Sequence, residues 1–267
     1  MNLRLSEWIT IAYFTYLLAA AVVTYWLPRP RRGVIIGSSL GLVIAVLTIS
    51  RFGARTGWLR DWIPVVYVLV GYWLPALFVT ATNQRFERTL LTSDHRWFGI
   101  RDATTMNRSA PGALIEMLEL AYLFCYPRVP VGFACLSATG LRDETDRFWT
   151  AVLLAVFACY GMLLWLPTRP PRAIAGEPVR SSVLMRRLNL RVLRVTSIQL
   201  NTFPSGHAAA ATATALAAGV RLPAAGLVLG ILALGIAIGS VVGRYHYAAD
   251  ALAGGVVGIV GFLISRG

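Results

Sequence analysis

Long apolar runs constrain the fold of this chain more than any other feature. Several stretches of about 18 or more mostly apolar residues occur, and a helix of that length crosses the roughly 30 Å hydrocarbon core of a bilayer. Hydrophobic residues make up 57% of the 267 residues and charged residues only 14%, which lies outside the usual composition of a soluble domain. The sequence therefore predicts a membrane protein that spans the bilayer several times.

The order of these runs defines the expected fold. They predict spans at about 8–28, 33–50, 62–82, 113–139, 149–167, 207–220, 222–242 and 247–265. The fourth run is ambiguous because it carries CYPRVP at its middle, and its two prolines and Arg128 either kink one helix or divide it into two. The first run has no clear cleavage site before Pro28, so it is interpreted as a span. The fold class is therefore all-α, a polytopic transmembrane helical bundle that forms a single integral membrane domain over residues 1–267.

The chain is strongly basic, with a formal net charge of +13, and its basic residues are all arginine. Arginine presents a planar fork of donors that suits phosphate oxygens, so this excess fits anionic membrane lipids or an anionic substrate. Nucleic acid is not an expected partner, because the arginines lie between hydrophobic spans. Within the polar stretch 168–202, VLMRRLNLRVL is typical of an interfacial amphipathic helix, either as a basic surface loop or in direct contact with substrate.

Three motifs are predicted to meet at one membrane face. The motif PTRPPR follows the run at 149–167, PSGH precedes the run at 207–220, and GRYHYAAD follows the run at 222–242. If each run crosses once, all three motifs fall on the same side of the membrane and the C-terminus falls on the other. This topology brings arginine and histidine together, as a site that processes an anion requires.

The PSGH motif is suited to binding a phosphate at a helix start. Pro204 fits a first helical turn, and Ser205 and Gly206 are predicted to leave backbone donors open there. Gly206 allows an anion to approach the backbone, Ser205 adds a hydroxyl donor, and His207 places an imidazole where it can protonate a leaving group. The alternative interpretation is a capped helix whose histidine rests at the membrane interface.

The HYAAD motif places a histidine and a carboxylate four residues apart. On a helix His246 and Asp250 share one face, so the carboxylate can accept a hydrogen bond from one ring nitrogen and leave the other nitrogen to attack. This is the arrangement of a nucleophile and its orienting residue. The alternative is a structural histidine–aspartate pair at a helix start.

Three arginines accompany these motifs. Arg244 lies two residues before His246, and PTRPPR contributes Arg169 and Arg172. Together their guanidinium groups can bind the non-bridging oxygens of a phosphate and stabilise the charge on them in the transition state. Taken singly, each arginine is better explained as an interface anchor, so the prediction depends on their convergence with the histidines.

Two acidic residues and three cysteines lie in apolar runs. Glu116 and Glu119 either line a polar cavity for a substrate headgroup or pair at the interface with arginines of the preceding loop, and the second interpretation is favoured. Cys125, Cys135 and Cys159 have no paired spacing and are interpreted as buried apolar residues rather than a metal or redox site.

The motifs PTRPPR, PSGH and HYAAD, in this order and before consecutive membrane helices, resemble those of the type-2 phosphatidic acid phosphatase superfamily. That superfamily includes membrane lipid phosphatases, lipid phosphotransferases and soluble vanadium haloperoxidases. The resemblance covers a motif-bearing catalytic half at about residues 150–265, while the earlier runs resemble the family only in being hydrophobic helices. It implies a six-helix phosphatase-like core to which extra spans can be added.

The resemblance implies a role for each predicted site residue. By it, His246 is the nucleophile that forms a phosphohistidine, Asp250 orients that histidine, and His207 is the general acid. The implied phosphate-binding residues are Arg169, Arg172, Ser205, Gly206 and Arg244. No metal and no other cofactor is implied, and the only further histidine, His95, is expected to be an ordinary loop residue.

Two positions depart from the pattern of that family. Its first motif begins with a lysine seven residues before the Arg-Pro pair, where this chain has Met162. Its last motif has a serine and an arginine shortly before the histidine, where this chain has Gly239 and Ser240. Arg172 and Arg244 are the expected substitutes. This form of the last motif resembles the inositol phosphoceramide synthase-like transferases, so the final phosphate acceptor stays open.

Three functions follow as hypotheses. The leading one is an integral membrane phosphatase that hydrolyses a lipid phosphate or diphosphate through a phosphohistidine, and the alternative is a phosphotransferase that passes a phosphorylated headgroup to an alcohol. The third is a transporter or scaffold in which the motifs are vestigial. The expected location is a bacterial inner membrane, with the motif face cytoplasmic by the positive-inside rule but outward by analogy with related phosphatases.

Overall fold

The computed structural model describes residues 2–52, 57–100, 110–175 and 184–267. Over these ranges the chain forms helices and no β-strand. The α-helices, in chain order, are α1 Leu5–Val23, α2 Arg29–Arg51, α3 Gly57–Trp62, α4 Pro64–Trp73, α5 Gln84–Phe98, α6 Gly112–Leu123, α7 Arg128–Ala138, α8 Thr145–Gly161, α9 Pro171–Ala175, α10 Leu184–Thr196, α11 Gly206–Gly219, α12 Pro223–Val242 and α13 Ala248–Ile264. Parts of the two polar stretches, at 101–109 and 176–183, lie outside the described residues.

Membrane-spanning helices account for most of the bundle. Among the described residues, five helical segments are long and apolar enough to cross a membrane: Leu5–Val23, Arg29–Arg51, Gly57–Phe78, Arg142–Leu164 and Pro223–Val242. The third combines α3 and α4 with a 3₁₀ turn, and the fourth is α8 extended by a 3₁₀ turn at each end. These segments confirm the expected all-α polytopic bundle.

The central helix α11 is shorter than a full span. Its 14 residues, at 1.5 Å each, extend about 21 Å, which is less than the roughly 30 Å hydrocarbon core. It packs against α7, α8, α12 and α13, and most of its residues are buried. The apolar run expected at 207–220 is therefore the core of the bundle rather than a helix that meets lipid on its own.

The ambiguous fourth run forms two helices, α6 and α7, which are bent by 67°. Pro127 caps α7 and cannot extend α6, because proline lacks a backbone donor. Gly239 of α12 lies against the Leu118 carbonyl of α6, and Gly132 of α7 lies against Leu229, nearer the start of α12. The pair therefore runs antiparallel along α12 and forms one broken crossing.

Small residues bring α13 close to α11. Gly254 lies against the Ser205 carbonyl and Gly258 against the Ala209 carbonyl, so neither glycine position has room for a side chain. On α11 the facing residues are mostly alanines, whose small side chains permit this approach. The alanine-rich run after PSGH is thus a close-packing surface.

We expect Gly258→Val to destabilise the bundle, because a Cβ at this position would lie 2.5 Å from the Ala209 carbonyl oxygen. Overpacking of this kind should lower the thermal midpoint by about 5 °C or more. Thermal unfolding in detergent, followed by tryptophan fluorescence, measures the change. Gly230→Val is the matched control, since that helical position faces open space. Equal midpoints for the two variants would contradict the packing argument.

Both chain termini lie at the end of the bundle opposite the motifs. The Ser6 hydroxyl donates to Asp146 at 2.6 Å, and Arg266 pairs with Glu144 at 3.0 Å, both at the start of α8. Beyond the other end of α8, Thr168 forms an antiparallel bridge with Asn201, which lies just before the PSGH motif. The contacts agree with the parity predicted from the apolar runs.

Candidate active site

The predicted motifs meet in one cavity at the motif end of the bundle. The rings of His207 and His246 lie 5.6 Å apart between centroids and at 88° to each other. Both rings line the cavity, together with Arg172 and Gly206. The other residues that line this site cavity are Tyr72, Tyr122, Tyr160, Leu193, Ser197, Leu200, Asn201, Thr202 and Tyr245.

The predicted histidine–aspartate pair is formed. His246 lies just before α13 and Asp250 lies in its first turn, and Nδ1 of the histidine is 2.9 Å from Oδ2 of the aspartate. Both side chains are buried. In the tautomer that carries its proton on Nδ1, the ring donates to Asp250 and keeps the lone pair on Nε2. The geometry is therefore that of an oriented nucleophile.

The PSGH segment caps α11 as expected, but its backbone donors are occupied. The Ser205 hydroxyl oxygen accepts from the Ala208 N–H at 3.3 Å. The Ser205 N–H donates to the Asp250 carbonyl at 3.1 Å, and the Gly206 N–H donates to Thr202 Oγ1 at 3.2 Å. The prediction of open amides at these two positions is wrong, because α13 and the preceding loop supply acceptors. The motif's proline lies before the N-cap rather than in the first turn.

The three predicted arginines have different surroundings. The Arg172 guanidinium carbon lies 5.1 Å from the centroid of the Tyr245 ring, and this arginine lines the site cavity. Arg244 is 7% exposed, adopts a left-handed φ of 57°, and accepts the Arg172 backbone N–H on its carbonyl. Arg169 is not among the lining residues. The structure therefore places Arg172 in the same cavity as the two histidines.

Arg169 is held by a carboxylate of α5. Glu87 accepts hydrogen bonds from the Arg169 guanidinium at 2.7 Å and from its backbone N–H at 2.8 Å. Burial tends to raise the pKa of Glu87, but the hydrogen bonds from Arg169 bring the pKa below its usual value. The charge of Arg169 is thus compensated within the protein.

A buried network that the sequence did not predict supports Tyr245. Glu119 accepts from the Arg186 guanidinium at 2.9 Å, and from the Asn189 amide and the Tyr245 hydroxyl at 2.7 Å each. Glu116 caps the backbone of the same helix, α10. Both glutamates were expected to pair with arginines of the preceding loop, of which Arg101 and Arg108 lie outside the described residues. Among the described residues, both glutamates contact the later amphipathic segment, and Glu119 also contacts Tyr245. Sequence spacing gives no signal for such long-range pairs.

Asp94 is a second residue that the sequence analysis missed. Its Oδ1 accepts a hydrogen bond of 3.0 Å from the N–H of Ala248, which lies two residues after His246. Burial raises the pKa of Asp94 to about 6, while its hydrogen bonds with the start of α13 act in the opposite direction. The neighbouring His95 is exposed on the last turn of α5, so it is a helical residue and not a loop residue. Asp94 fixes α5 to the helix that follows His246.

The cysteines do not line the site cavity. Cys125 and Cys159 are buried and Cys135 is partly buried, and all three are free thiols. In the part of the chain that the structure describes, no group of three or more His, Cys, Asp or Glu side chains is placed to hold a metal ion. The site instead brings together histidine, aspartate and arginine side chains.

Comparison with known proteins identifies a family. The sequence profile of the PAP2 superfamily matches residues 88–264, which extends the likeness upstream of the motif-bearing half through α5, α6 and α7. No curated protein and no solved structure gives a significant match.

Proposed function

This chain belongs to the PAP2 superfamily and is an integral membrane protein, and from that premise we propose that it is a lipid phosphatase. It hydrolyses a lipid phosphate or diphosphate through a phosphohistidine on His246. Family membership supports a phosphatase-like activity on a lipid phosphate. The geometry of the site supports the intermediate and the individual residue roles.

The observation that carries the proposal is the pairing of two differently placed imidazoles. His246 is held by Asp250 at 2.9 Å, while the His207 ring stands 5.6 Å away and perpendicular to it. A phosphorus atom between the rings would have a nucleophile on one side and a proton donor on the other. Arg172 lines the same cavity and supplies charge to the non-bridging oxygens.

The first step forms the phosphohistidine. The Nε2 lone pair of His246 attacks phosphorus, and the bond from phosphorus to the lipid oxygen breaks, leaving its electron pair on that oxygen. His207 donates a proton to the departing oxygen, and Asp250 stabilises the positive charge on the His246 ring. Arg172 neutralises part of the charge spread over the phosphoryl oxygens.

The second step releases phosphate. A water molecule attacks phosphorus while His207, now neutral, accepts its proton. The bond from phosphorus to Nε2 breaks and its electron pair returns to His246. Inorganic phosphate leaves, and the site has its starting protonation.

The alternative is a phosphotransferase that uses the same histidine nucleophile on a lipid phosphodiester. The lipid alcohol leaves, the phosphorus keeps its headgroup while bound to His246, and an alcohol takes the place of water in the second step and receives the phosphorylated headgroup. The observation that favours it is the last motif, which has Gly239 and Ser240 where the family usually has a serine and an arginine. The chemistry of the first step is the same in both proposals.

Product analysis separates the two reactions. The full chain, purified in detergent, is incubated with phosphatidate, phosphatidylglycerophosphate, polyprenyl phosphates, polyprenyl diphosphates and a phospholipid that carries a labelled headgroup. Release of inorganic phosphate supports hydrolysis, and transfer of a labelled headgroup to an added alcohol without phosphate release supports the transferase. A chain that does neither with any of these lipids contradicts both proposals.

Arg172→Ala should impair turnover far more than Arg169→Ala. Arg172 lines the cavity, whereas Arg169 is already paired with Glu87. We expect the first variant to lower kcat/KM by about 100-fold and the second by less than about 10-fold, because only the first removes a charge that reaches the phosphoryl oxygens. Steady-state kinetics on one lipid phosphate measures both. A larger loss for Arg169→Ala would show that its guanidinium leaves Glu87 to bind substrate.

We also propose a multi-pass location in a bacterial inner membrane, with residues 1–267 as a single integral membrane domain. Lipid phosphates and other membrane lipids are the expected partners, and nucleic acid is not. The C-terminus lies opposite the motifs, so a protease-accessible tag there reports the side on which the motif face stands. Tag cleavage in intact cells would place the motif face in the cytoplasm.

A further inference from the structure

An apolar groove continues from the site cavity toward the side of the bundle. Its volume is about 250 Å³, and it shares Tyr72, Tyr160 and His207 with the site cavity. The other lining residues are Val65, Val68, Leu69, Trp73, Cys125, Tyr126, Arg128, Val129, Pro130, Thr196 and Ala210. This α4 groove lies between α4 and the break that separates α6 from α7.

The α4 groove is placed to receive a hydrocarbon chain. Leu69 and Trp73 are 48% and 45% exposed on the membrane-spanning segment that forms its outer edge. A second apolar groove of about 280 Å³, beside α12 and α13, contains Ile238 and Leu252 but neither site histidine. A lipid whose phosphate lies between the histidines can therefore extend its chain into the α4 groove.

One arginine lines this mostly apolar groove. Arg128 begins α7 at the break and is 4% exposed. One guanidinium nitrogen, Nη1, donates to the Cys125 carbonyl, while Nε is buried without a hydrogen-bond partner. No carboxylate in the described ranges forms an ion pair with it. The groove thus holds a buried positive charge beside His207.

Arg186 is a buried arginine that has a carboxylate partner, and it provides a comparison for Arg128. It is 1% exposed, and its guanidinium pairs with Glu119 at 2.9 Å. A charged side chain within a membrane-spanning bundle is costly unless it has a partner of opposite charge. Arg128 is equally buried and lacks such a partner among the described residues. An anionic ligand group beside His207 would supply it.

We propose that Arg128 binds the leaving phosphate of a lipid diphosphate, an inference that rests on the proposed function. The enzyme then prefers a lipid diphosphate to the monophosphate with the same hydrocarbon chain. The terminal phosphorus lies at His246, the bridging oxygen at His207, and the second phosphate at Arg128. The hydrocarbon chain then occupies the α4 groove.

The leaving group explains why a cation is needed there. When His246 attacks the terminal phosphorus, the bond to the bridging oxygen breaks and the electron pair stays on a lipid monophosphate. That product carries a charge which Arg128 offsets through charge-assisted hydrogen bonds. A monophosphate substrate releases an alcohol instead, so its leaving oxygen needs a proton from His207 and has no anion for Arg128.

The test compares two substrates that differ only in the second phosphate. A polyprenyl diphosphate and the monophosphate of the same chain length are assayed with the wild type, Arg128→Gln and Arg128→Lys. We expect the wild type to prefer the diphosphate, and Arg128→Gln to lower its kcat/KM for the diphosphate by about 100-fold, as for truncation of a buried charge pair. The monophosphate should lose less than about 3-fold, since no charge pair is removed, and Arg128→Lys should keep part of the preference.

The matched control is Arg191→Gln, an exposed arginine on α10. Equal losses on both substrates with Arg128→Gln, no loss on either, or a wild type that prefers the monophosphate would each overturn the inference. The first two outcomes would indicate that Arg128 only stabilises the fold, through its hydrogen bond to the Cys125 carbonyl.

A binding measurement keeps the inference testable if turnover is absent. The diphosphate should raise the thermal midpoint of His246→Ala, and it should not do so in the double variant that combines His246→Ala with Arg128→Gln. If that stabilisation appears while the wild type releases no phosphate from any lipid, the proposed hydrolysis fails and the binding role of Arg128 stands. If the diphosphate and the matching polyprenol stabilise His246→Ala equally, the role of Arg128 fails.

Discussion

His246→Ala is expected to reduce phosphate release from a lipid phosphate by about 10⁴-fold or more, because it removes the atom that forms the covalent bond to phosphorus. Asp250 positions this ring at 2.9 Å, and the His207 ring is perpendicular to it, so neither neighbour can take over the attack. Labelling with a lipid that carries ³²P in its phosphate should give an acid-labile, base-stable phosphoprotein in the wild type and none in the variant.

The matched control is His95→Ala, which changes an exposed histidine on the last turn of α5 and should leave both turnover and labelling intact. Thermal midpoints of the two variants in detergent show whether the bundle is preserved. Labelled protein in His246→Ala would mean that another residue is the nucleophile. A chain whose cellular role survives His246→Ala unchanged would instead fit a transporter or scaffold.

His207→Gln is expected to slow hydrolysis in a way that depends on the leaving group. The variant keeps a hydrogen-bonding side chain at the start of α11 but cannot donate a proton as an acid. For a lipid phosphate that leaves as an alcohol we expect a loss of about 10²–10⁴-fold, the usual contribution of general acid catalysis. For an aryl phosphate whose phenol has a pKa of about 7, the loss should fall below about 10-fold, because that oxygen leaves without a proton.

Parallel kinetics on an alkyl and an aryl phosphate make this comparison. A uniform loss on both substrates would contradict the acid role and would indicate that His207 only shapes the site cavity. Thr212→Ala serves as the control, since it alters α11 one to two turns below the histidine without lining that cavity. The contrast between the substrates, rather than the absolute rate, decides the assignment.

The parts of the site that the sequence predicted are local. His246 and Asp250 are four residues apart, and the turn into α13 brings them together whatever the rest of the bundle does. The meeting of this pair with His207 and Arg172 followed from counting membrane crossings, because a helix that spans the bilayer delivers its ends to known faces. The lengths of the apolar runs were therefore sufficient to predict most of the topology.

The parts that were missed depend on tertiary neighbours. Nothing in the spacing of Arg169 and Glu87 shows that they pair, nor that Asp94 caps the start of α13. The same holds for Glu119 and Arg186, which join the broken span to the amphipathic helix. Each of these contacts links residues more than 60 positions apart in the chain, and charged side chains have many alternative partners over such separations.

A hydrogen bond of 3.1 Å from the Ser205 N–H to the Asp250 carbonyl links α11 and α13 at their starts. Gly254 and Gly258 keep α13 in contact with α11 below that bond. The spacing of His207 and His246 is therefore set by a closely packed two-helix unit. Conformational adjustment to lipids of different size must then fall on surrounding elements such as α4 at the side. An enzyme organised in this way can vary its substrates while the geometry of phosphoryl transfer stays constant.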